Sequence, residues 1–180
     1  MSRRKKSLDL IRVGILFIAV IGLIAALAKY SEVSLEGAVQ VIDGDSLKLG
    51  DQEIRLFGVD APEYRQTCQS NEDTKPYNCG QKSREHLVGL TKGRRVQCAG
   101  FEKDKYERLL ANCHADGIHL NAEMVRSGWA VAYGSFMSEQ NEAEAERRGI
   151  WRGTFEVPAD WRKEERKPHQ QSIASSLVFW

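Results

Sequence analysis

Residues 54–63 read Ile54-Arg55-Leu56-Phe57-Gly58-Val59-Asp60-Ala61-Pro62-Glu63. The stretch opens as a strand, because apolar and polar positions alternate and β-formers dominate. Alternation predicts Arg55, Phe57 and Val59 on one face, with Asp60 at the strand's end. Pro62 fixes its own φ and keeps Ala61 extended. The product is a stiff array of Asp60, the Ala61 carbonyl and Glu63. Such an acid–carbonyl–acid array suits a metal liganded by oxygen, with a carboxylate base beside it. Alone, it also reads as a solvated strand end closed by a proline.

Outward from this stretch the chain is rich in short strands. Strands are expected over 37–42 and 46–49, joined by the turn signal Asp43-Gly44. A turn at Leu49-Gly50-Asp51-Gln52 leads into a third strand over 53–59. The polar stretch 64–79 reads as a loop, and a modest helix over 80–90 stops near Gly93. Two more strands are expected over 95–99 and 109–115, followed by the turn Asp116-Gly117 and a short helix over 120–127 closed by Gly128. A last helix spans 138–148, with Ser138 as N-cap, Glu139 and Glu142 in the first turn, Arg147 and Arg148 in the last, and Gly149 as the stop. Five short strands with about three helices predict an α+β, mainly β domain. The candidate fold is a five-stranded Greek-key barrel of the OB type, with a β-sandwich as the bland competitor.

Length and composition agree. The 180 residues, 42% hydrophobic and 28% charged, suit one globular domain with an anchor or tail, not a disordered, collagen-like or coiled-coil chain. The net charge of +1 is unevenly spread. Residues 1–30 carry six basic side chains against Asp9, whereas residues 31–180 carry 20 basic and 24 acidic ones. An acidic body does not favour strong nonspecific nucleic-acid binding, which Lys and Arg drive.

Residues 1–30 read as a signal peptide or an N-terminal transmembrane anchor. Arg3-Arg4-Lys5-Lys6 precedes an uncharged hydrophobic run of 16 residues, Val13 to Ala28, expected to be helical. That length lies between signal cores and membrane spans. Ala26-Leu27-Ala28 offers a small-x-small cleavage site. Either reading leaves the basic end in the cytoplasm and exports the domain, expected over 31–160, with a C-terminal tail over 161–180. The exported domain is membrane-anchored if the segment stays and secreted or periplasmic if it is cleaved. Four cysteines fit export, since an even count allows disulfides and no CxxC occurs. Three pairings are possible. The expected ones are Cys68–Cys79, closing a loop, and Cys98–Cys113, joining neighbouring strands. The four histidines show no convincing metal-ligand spacing.

Two further segments carry chemistry. Asp43-Gly44-Asp45 sets two carboxylates on a turn, which suits a hard cation but is weak alone. Glu102-Lys103-Asp104-Lys105-Tyr106-Glu107-Arg108 reads as a charged hairpin loop, or as the mount of a phosphate-gripping arginine, Arg108.

Together, in this order and spacing, IDGDSLKL, IRLFGVDAPE, DKYERLLA, ADGIHLNAEMVRSGWAVAY and RRGIW resemble the staphylococcal nuclease family. The resemblance runs from about Ala38 to Trp151 and implies an OB barrel with three helices. It implies Asp45 and Asp60 as Ca²⁺ ligands, with the Ala61 backbone carbonyl as a third and Asp43 behind them. It implies Glu63 as general base, Arg55 and Arg108 as a phosphate clamp, and Tyr106 and Tyr133 on the substrate side. The implied activity is Ca²⁺-dependent hydrolysis of DNA and RNA with little sequence preference, leaving 3′-phosphate ends, by a monomer. Glu107 departs from the family, whose archetype has Gly there. The competing expectation is a non-catalytic exported OB module that binds nucleic acid or protein.

Overall fold

The computed structural model describes residues 12–24, 32–72 and 75–165. The chain divides into two units, residues 1–33 and 34–180. In the first, residues 12–24 form a helix, α1. Residues 25–28 of the apolar run lie outside the described residues, and no described helix is long and apolar enough to cross a membrane. The span expected over 13–28 is therefore not among the described helices.

In the second unit, one mixed sheet carries the core. Its strands are β1 (Val33–Gly37), β2 (Val39–Val41), β3 (Ser46–Leu49), β4 (Gln52–Leu56), β8 (Val96–Lys103) and β9 (Leu109–Ala115). They lie in the order β1-β8-β9-β4-β3-β2, with β10 (Ile118–His119) also paired to β9. All neighbours whose register is recorded are antiparallel except β4 and β9, which run parallel. β1 and β2 lie at opposite ends of this order, yet only Ala38 separates them. One residue spans no more than a few ångströms, so the sheet must curl until its two ends meet. The curled sheet is a half-barrel, in keeping with the OB type expected but not the closed five-stranded barrel.

Inward-facing Leu47, Ile54, Leu56, Val96 and Leu109 fill the curl. They pack against Leu87 of α2 (Cys79–Thr91) and Leu120, Met124 and Val125 of α3 (Leu120–Arg126). Buried Asn121 stitches α3 to the sheet. Its amide donates to the Phe57 and Ala111 carbonyls, and its Oδ1 accepts from the Cys113 N–H. Asn78 caps α2 by accepting from the Gln81 N–H.

Four expectations need correction. The third strand does not run through Val59. It breaks at Phe57-Gly58, where Gly58 adopts φ 73°. The chain then re-forms as β5 (Val59–Asp60), paired with β11 (Val131–Ala132). Phe57 is therefore exposed while Arg55 and Val59 are not, and the three do not share a face. The polar stretch 64–79 is not a plain loop. β6 (Thr67–Ser70) and β7 (Pro76–Asn78) form a hairpin, extended by β12 (Gly153–Thr154). The last long helix, α4 (Met137–Ala145), starts after Phe136 in the left-handed region, φ 64°, without a side-chain cap. The Phe136 ring packs edge-on against His119, which places the turn, while Ser138 bonds Glu139 instead of capping. Arg147 and Arg148 lie beyond the helix end. Twelve strands, not five, are present among the described residues.

Both expected disulfides form. Cys68–Cys79 bridges β6 to the first residue of α2, and Cys98–Cys113 joins directly paired residues of β8 and β9. A 3₁₀ turn over Gly149–Arg152 follows α4. A further helix, α5, covers 158–165, across residue 161 where the tail was expected to begin.

Candidate active site

The ladder between β3 and β4 sets Arg55 opposite Ser46, the residue after Asp45. The Leu56 N–H donates to the Asp45 carbonyl at 2.8 Å and pins the strand end to the Asp43–Asp45 loop. The Arg55 guanidinium then reaches two acids at once. Nη1 lies 2.9 Å from Asp45 Oδ1, and Nη2 lies 2.8 Å from Asp60 Oδ1. Asp45 also accepts from the Ser46 hydroxyl at 2.9 Å and, through Oδ2, from the Ala61 N–H at 2.9 Å. Asp43 Oδ1 accepts from the Asp45 N–H at 3.1 Å and so shapes the loop. Helix α2 holds the loop's other side. Arg84 donates to the carbonyls of Val41 and Ile42, and a Cβ at Gly44 would strike Ser83 and Ala61.

Asp45 and Asp60 are each only 3% exposed. Burial pushes the Asp45 carboxyl above its ordinary range, helped by the charge of Asp43 and then Asp60. Arg55 and the Ala61 amide pull it back only in part. Burial alone would lower the Arg55 guanidinium, but Asp45 and Asp60 together hold it raised. The cluster is therefore short of positive charge.

That shortage tests whether a cation fits. Two buried carboxylates beside the Ala61 backbone form a hard-oxygen donor set of the kind divalent cations accept, with water completing the shell. Among the described residues, no group of three or more His, Cys, Asp or Glu is arranged to hold a metal. The set fits a weakly held ion rather than a closed protein cage.

Glu63 sits at the rim, and Arg162 of α5 reaches it. Arg162 Nη1 lies 2.8 Å from Glu63 Oε1, and Nη2 lies 3.0 Å from Asp60 Oδ2. Burial would lower the Arg162 guanidinium, but hydrogen bonds to Asp60 and Glu63 raise it. Fully buried Gln66 fixes the backbone here. Its Oε1 accepts from the Glu63 N–H at 3.2 Å, and its Nε2 donates to the Glu156 carbonyl at 2.6 Å, two residues before α5. Gly80 lies against the Glu63 carbonyl, where a Cβ has no room.

Arg108 is turned onto Asp104, and only its Nη1 faces the cluster, 3.3 Å from Ser46 Oγ. Burial raises the Asp104 carboxyl, but Arg108 and the Tyr106 and Arg108 amides outweigh it and hold it low. Tyr106 is 60% exposed beneath the Arg108 guanidinium, and Tyr133 is 73% exposed, two residues past Val131, the partner of Asp60. Glu107 adopts φ 63°, the conformation for which glycine is suited.

The structure thus joins Asp43, Asp45, Arg55, Asp60, Ala61 and Glu63 in one network, with Arg108 linked through Ser46. Tyr106 lies against Arg108 instead, and the Tyr133 N–H donates to the Gly58 carbonyl. Sequence reasoning missed Arg162 and Gln66. Arg162 lies 102 residues from Asp60 in a charged segment without pattern, and Gln66 in a stretch read as loop.

A family model described as staphylococcal nuclease homologue matches residues 53–153. An Escherichia coli O157:H7 protein named uncharacterized endonuclease is 33% identical over 131 residues, covering 67% of this chain and 78% of its own. The Rhizobium meliloti (strain 1021) succinoglycan biosynthesis protein ExoI is 35% identical over 123 residues, 64% of each chain. A probable staphylococcal-like nuclease, CAN3 of Oryza sativa subsp. japonica, is 30% identical over 127 residues, 67% of this chain but 31% of its own. The chain belongs to the staphylococcal nuclease homologue family and is a hydrolytic nuclease.

Proposed function

We propose that the chain is an exported, Ca²⁺-dependent nuclease that hydrolyses phosphodiester bonds of DNA and RNA with little sequence preference. The observation that carries this reading is the pairing of Asp45 and Asp60 by Arg55, with Glu63 held three residues beyond Asp60. Two disulfides support a place outside the reducing cytoplasm.

Asp45, Asp60 and the Ala61 carbonyl would hold the cation. When bound, it supplies positive charge against the phosphoryl oxygens as negative charge builds there. Arg55 and Arg108 add fixed positive charge toward the same place, and Arg55 keeps both carboxylates in position. Glu63 takes a proton from the attacking water, at the solvent-facing rim rather than in the buried cluster. Tyr106 and Tyr133, both exposed, offer faces on which bases can stack, so contact is to backbone and base faces rather than base edges.

The test is hydrolysis of denatured DNA and of RNA by the purified chain, disulfides formed, with Ca²⁺ and with chelator. Cleavage of both substrates with Ca²⁺ alone is expected. Equal cleavage in chelator overturns the metal, and no cleavage by folded protein overturns the activity.

A further inference from the structure

Arg162 forks across two acids that serve different ends in the proposed reaction. One nitrogen donates to the rim acid Glu63 and the other to the buried acid Asp60. Every carboxylate oxygen of Asp45 and Asp60 already has a donor. Arg55 and Ser46 take Asp45 Oδ1, the Ala61 amide takes Asp45 Oδ2, Arg55 takes Asp60 Oδ1, and Arg162 takes Asp60 Oδ2. A divalent cation entering between these carboxylates must share their oxygens with those donors, and a cationic donor beside it repels it.

The donors differ in how firmly they are held. The Ala61 N–H belongs to the stiff stretch before Pro62. Arg55 stands on β4, between β3 and β9, and spans both buried carboxylates. Arg162 stands on α5, described over 158–165 and approached through the Gln66–Glu156 hydrogen bond. Its partner Glu63 is a third exposed, so water competes for that half of the fork. Of the two cationic donors, Arg162 is the one with a partner open to water, whereas both partners of Arg55 are buried. The positive charge of Arg162 also opposes a second cation at Asp60 Oδ2. While it stays, it occupies Oε1, one of the two Glu63 oxygens able to accept a water proton.

We propose that Arg162 is a built-in counter-cation that holds Asp60 and Glu63 and competes with the divalent cation for them, so setting the cation concentration at which the site works. This rests on the metal reading of the site given above.

The experiment is calorimetric titration of Ca²⁺ into the full-length chain and its Arg162→Ala, Arg162→Lys and Lys163→Ala variants, with circular dichroism to verify folding. Lys163 is the control, because it pairs with Asp160 and removes an equal charge from the same helix. Arg162→Ala is expected to bind Ca²⁺ about tenfold more tightly, the scale of losing one charge-assisted contact. Arg162→Lys should fall between, and Lys163→Ala should match the parent. Half-maximal hydrolysis should move to lower Ca²⁺ in parallel. Equal or weaker binding by Arg162→Ala overturns the proposal and leaves the metal reading intact. Should Arg162→Ala not fold, Arg162→Lys decides by the same criterion. Ca²⁺ binding by none of the four proteins removes the metal reading and this proposal together.

Discussion

Arg108 presents Nε and Nη2 to one oxygen of Asp104, at 2.8 and 2.7 Å. The pair turns the guanidinium side-on, so that Nη1 is the nitrogen left facing Ser46 and the acids beyond it. Asp104 also accepts from the backbone of Tyr106 and Arg108 and so shapes the loop that carries them. Asp104 is thus a positioning residue. Asp104→Ala is expected to lower kcat/KM by about tenfold while Ca²⁺ affinity stays the same, since orientation governs how well an arginine meets phosphate. Initial rates across substrate concentration, with a parallel Ca²⁺ titration, check it. An unchanged rate would show that Arg108 needs no partner to find its place.

Glu63→Gln keeps the size of the rim side chain and removes its ability to take a proton. Hydrolysis should fall by about 10²–10⁴-fold, the usual contribution of general base catalysis. Nucleic-acid binding, read by fluorescence anisotropy in Ca²⁺, should persist. Full activity in the variant would remove Glu63 from the chemistry.

Glu107 occupies a left-handed backbone position that costs an ordinary residue about 1–2 kcal/mol, part of which glycine returns as chain entropy. Its side-chain partner is Lys103 at 3.6 Å, an exposed pair of little consequence. Glu107→Gly is therefore expected to raise stability by about 0.5–1 kcal/mol. Urea unfolding measures this, and a lower midpoint would contradict it.

The two disulfides are expected to differ in what they protect. Each closes a short loop and is worth about 3 kcal/mol in the chain-entropy account. Cys79 also lies against the Gln66 carbonyl, and Gln66 holds the Glu63 amide. Cys68→Ala/Cys79→Ala should lower both stability and kcat, whereas Cys98→Ala/Cys113→Ala should lower stability alone. Rates measured well below each variant's Tm separate the two effects.

His86 supplies a pH dependence. Burial lowers its imidazole below the ordinary value, against a weaker opposing pull from Glu123, and its Nε2 is buried without a partner among the described residues. Below the ordinary histidine pKa of about 6.5, the unfolded chain takes up a proton that the fold resists. Stability conferred above that pH is thus lost as pH falls toward the folded-state value. His86→Leu should flatten this part of the stability–pH curve, as denaturant midpoints between pH 5 and 8 would show.

The parts legible in the sequence are those with local causes. β3 and β9 begin and end where alternation and turn residues place them, and α2 and α3 lie within a residue of their expected ends. Asp45, Arg55, Asp60 and Glu63 were readable because they fall within one stretch of 19 residues built around a turn, a strand and a proline. The hairpin at 67–78 was not. Its strands are short and polar, and pairing with one another and with β12, not hydrophobic alternation, makes them strands. The break at Gly58 did leave a signal, because an isolated glycine inside a strand pattern marks a bulge or a close backbone approach, but alternation through Val59 outweighed it in the reading. Arg162 was invisible for a different reason. Its role exists only through contacts with residues a hundred positions away, and nothing periodic marks it.

The β6–β7 hairpin is clamped at its base by Cys68–Cys79 and steadied on its flank by β12. Changes in length at its far end are therefore insulated from Glu63, whose backbone is fixed by Gln66 and Gly80 on the other side of the clamp. The clamp thus separates the segment between β6 and β7 from the residues around Glu63. A peptide spliced between β6 and β7 is accordingly expected to leave the chemistry at Glu63 untouched.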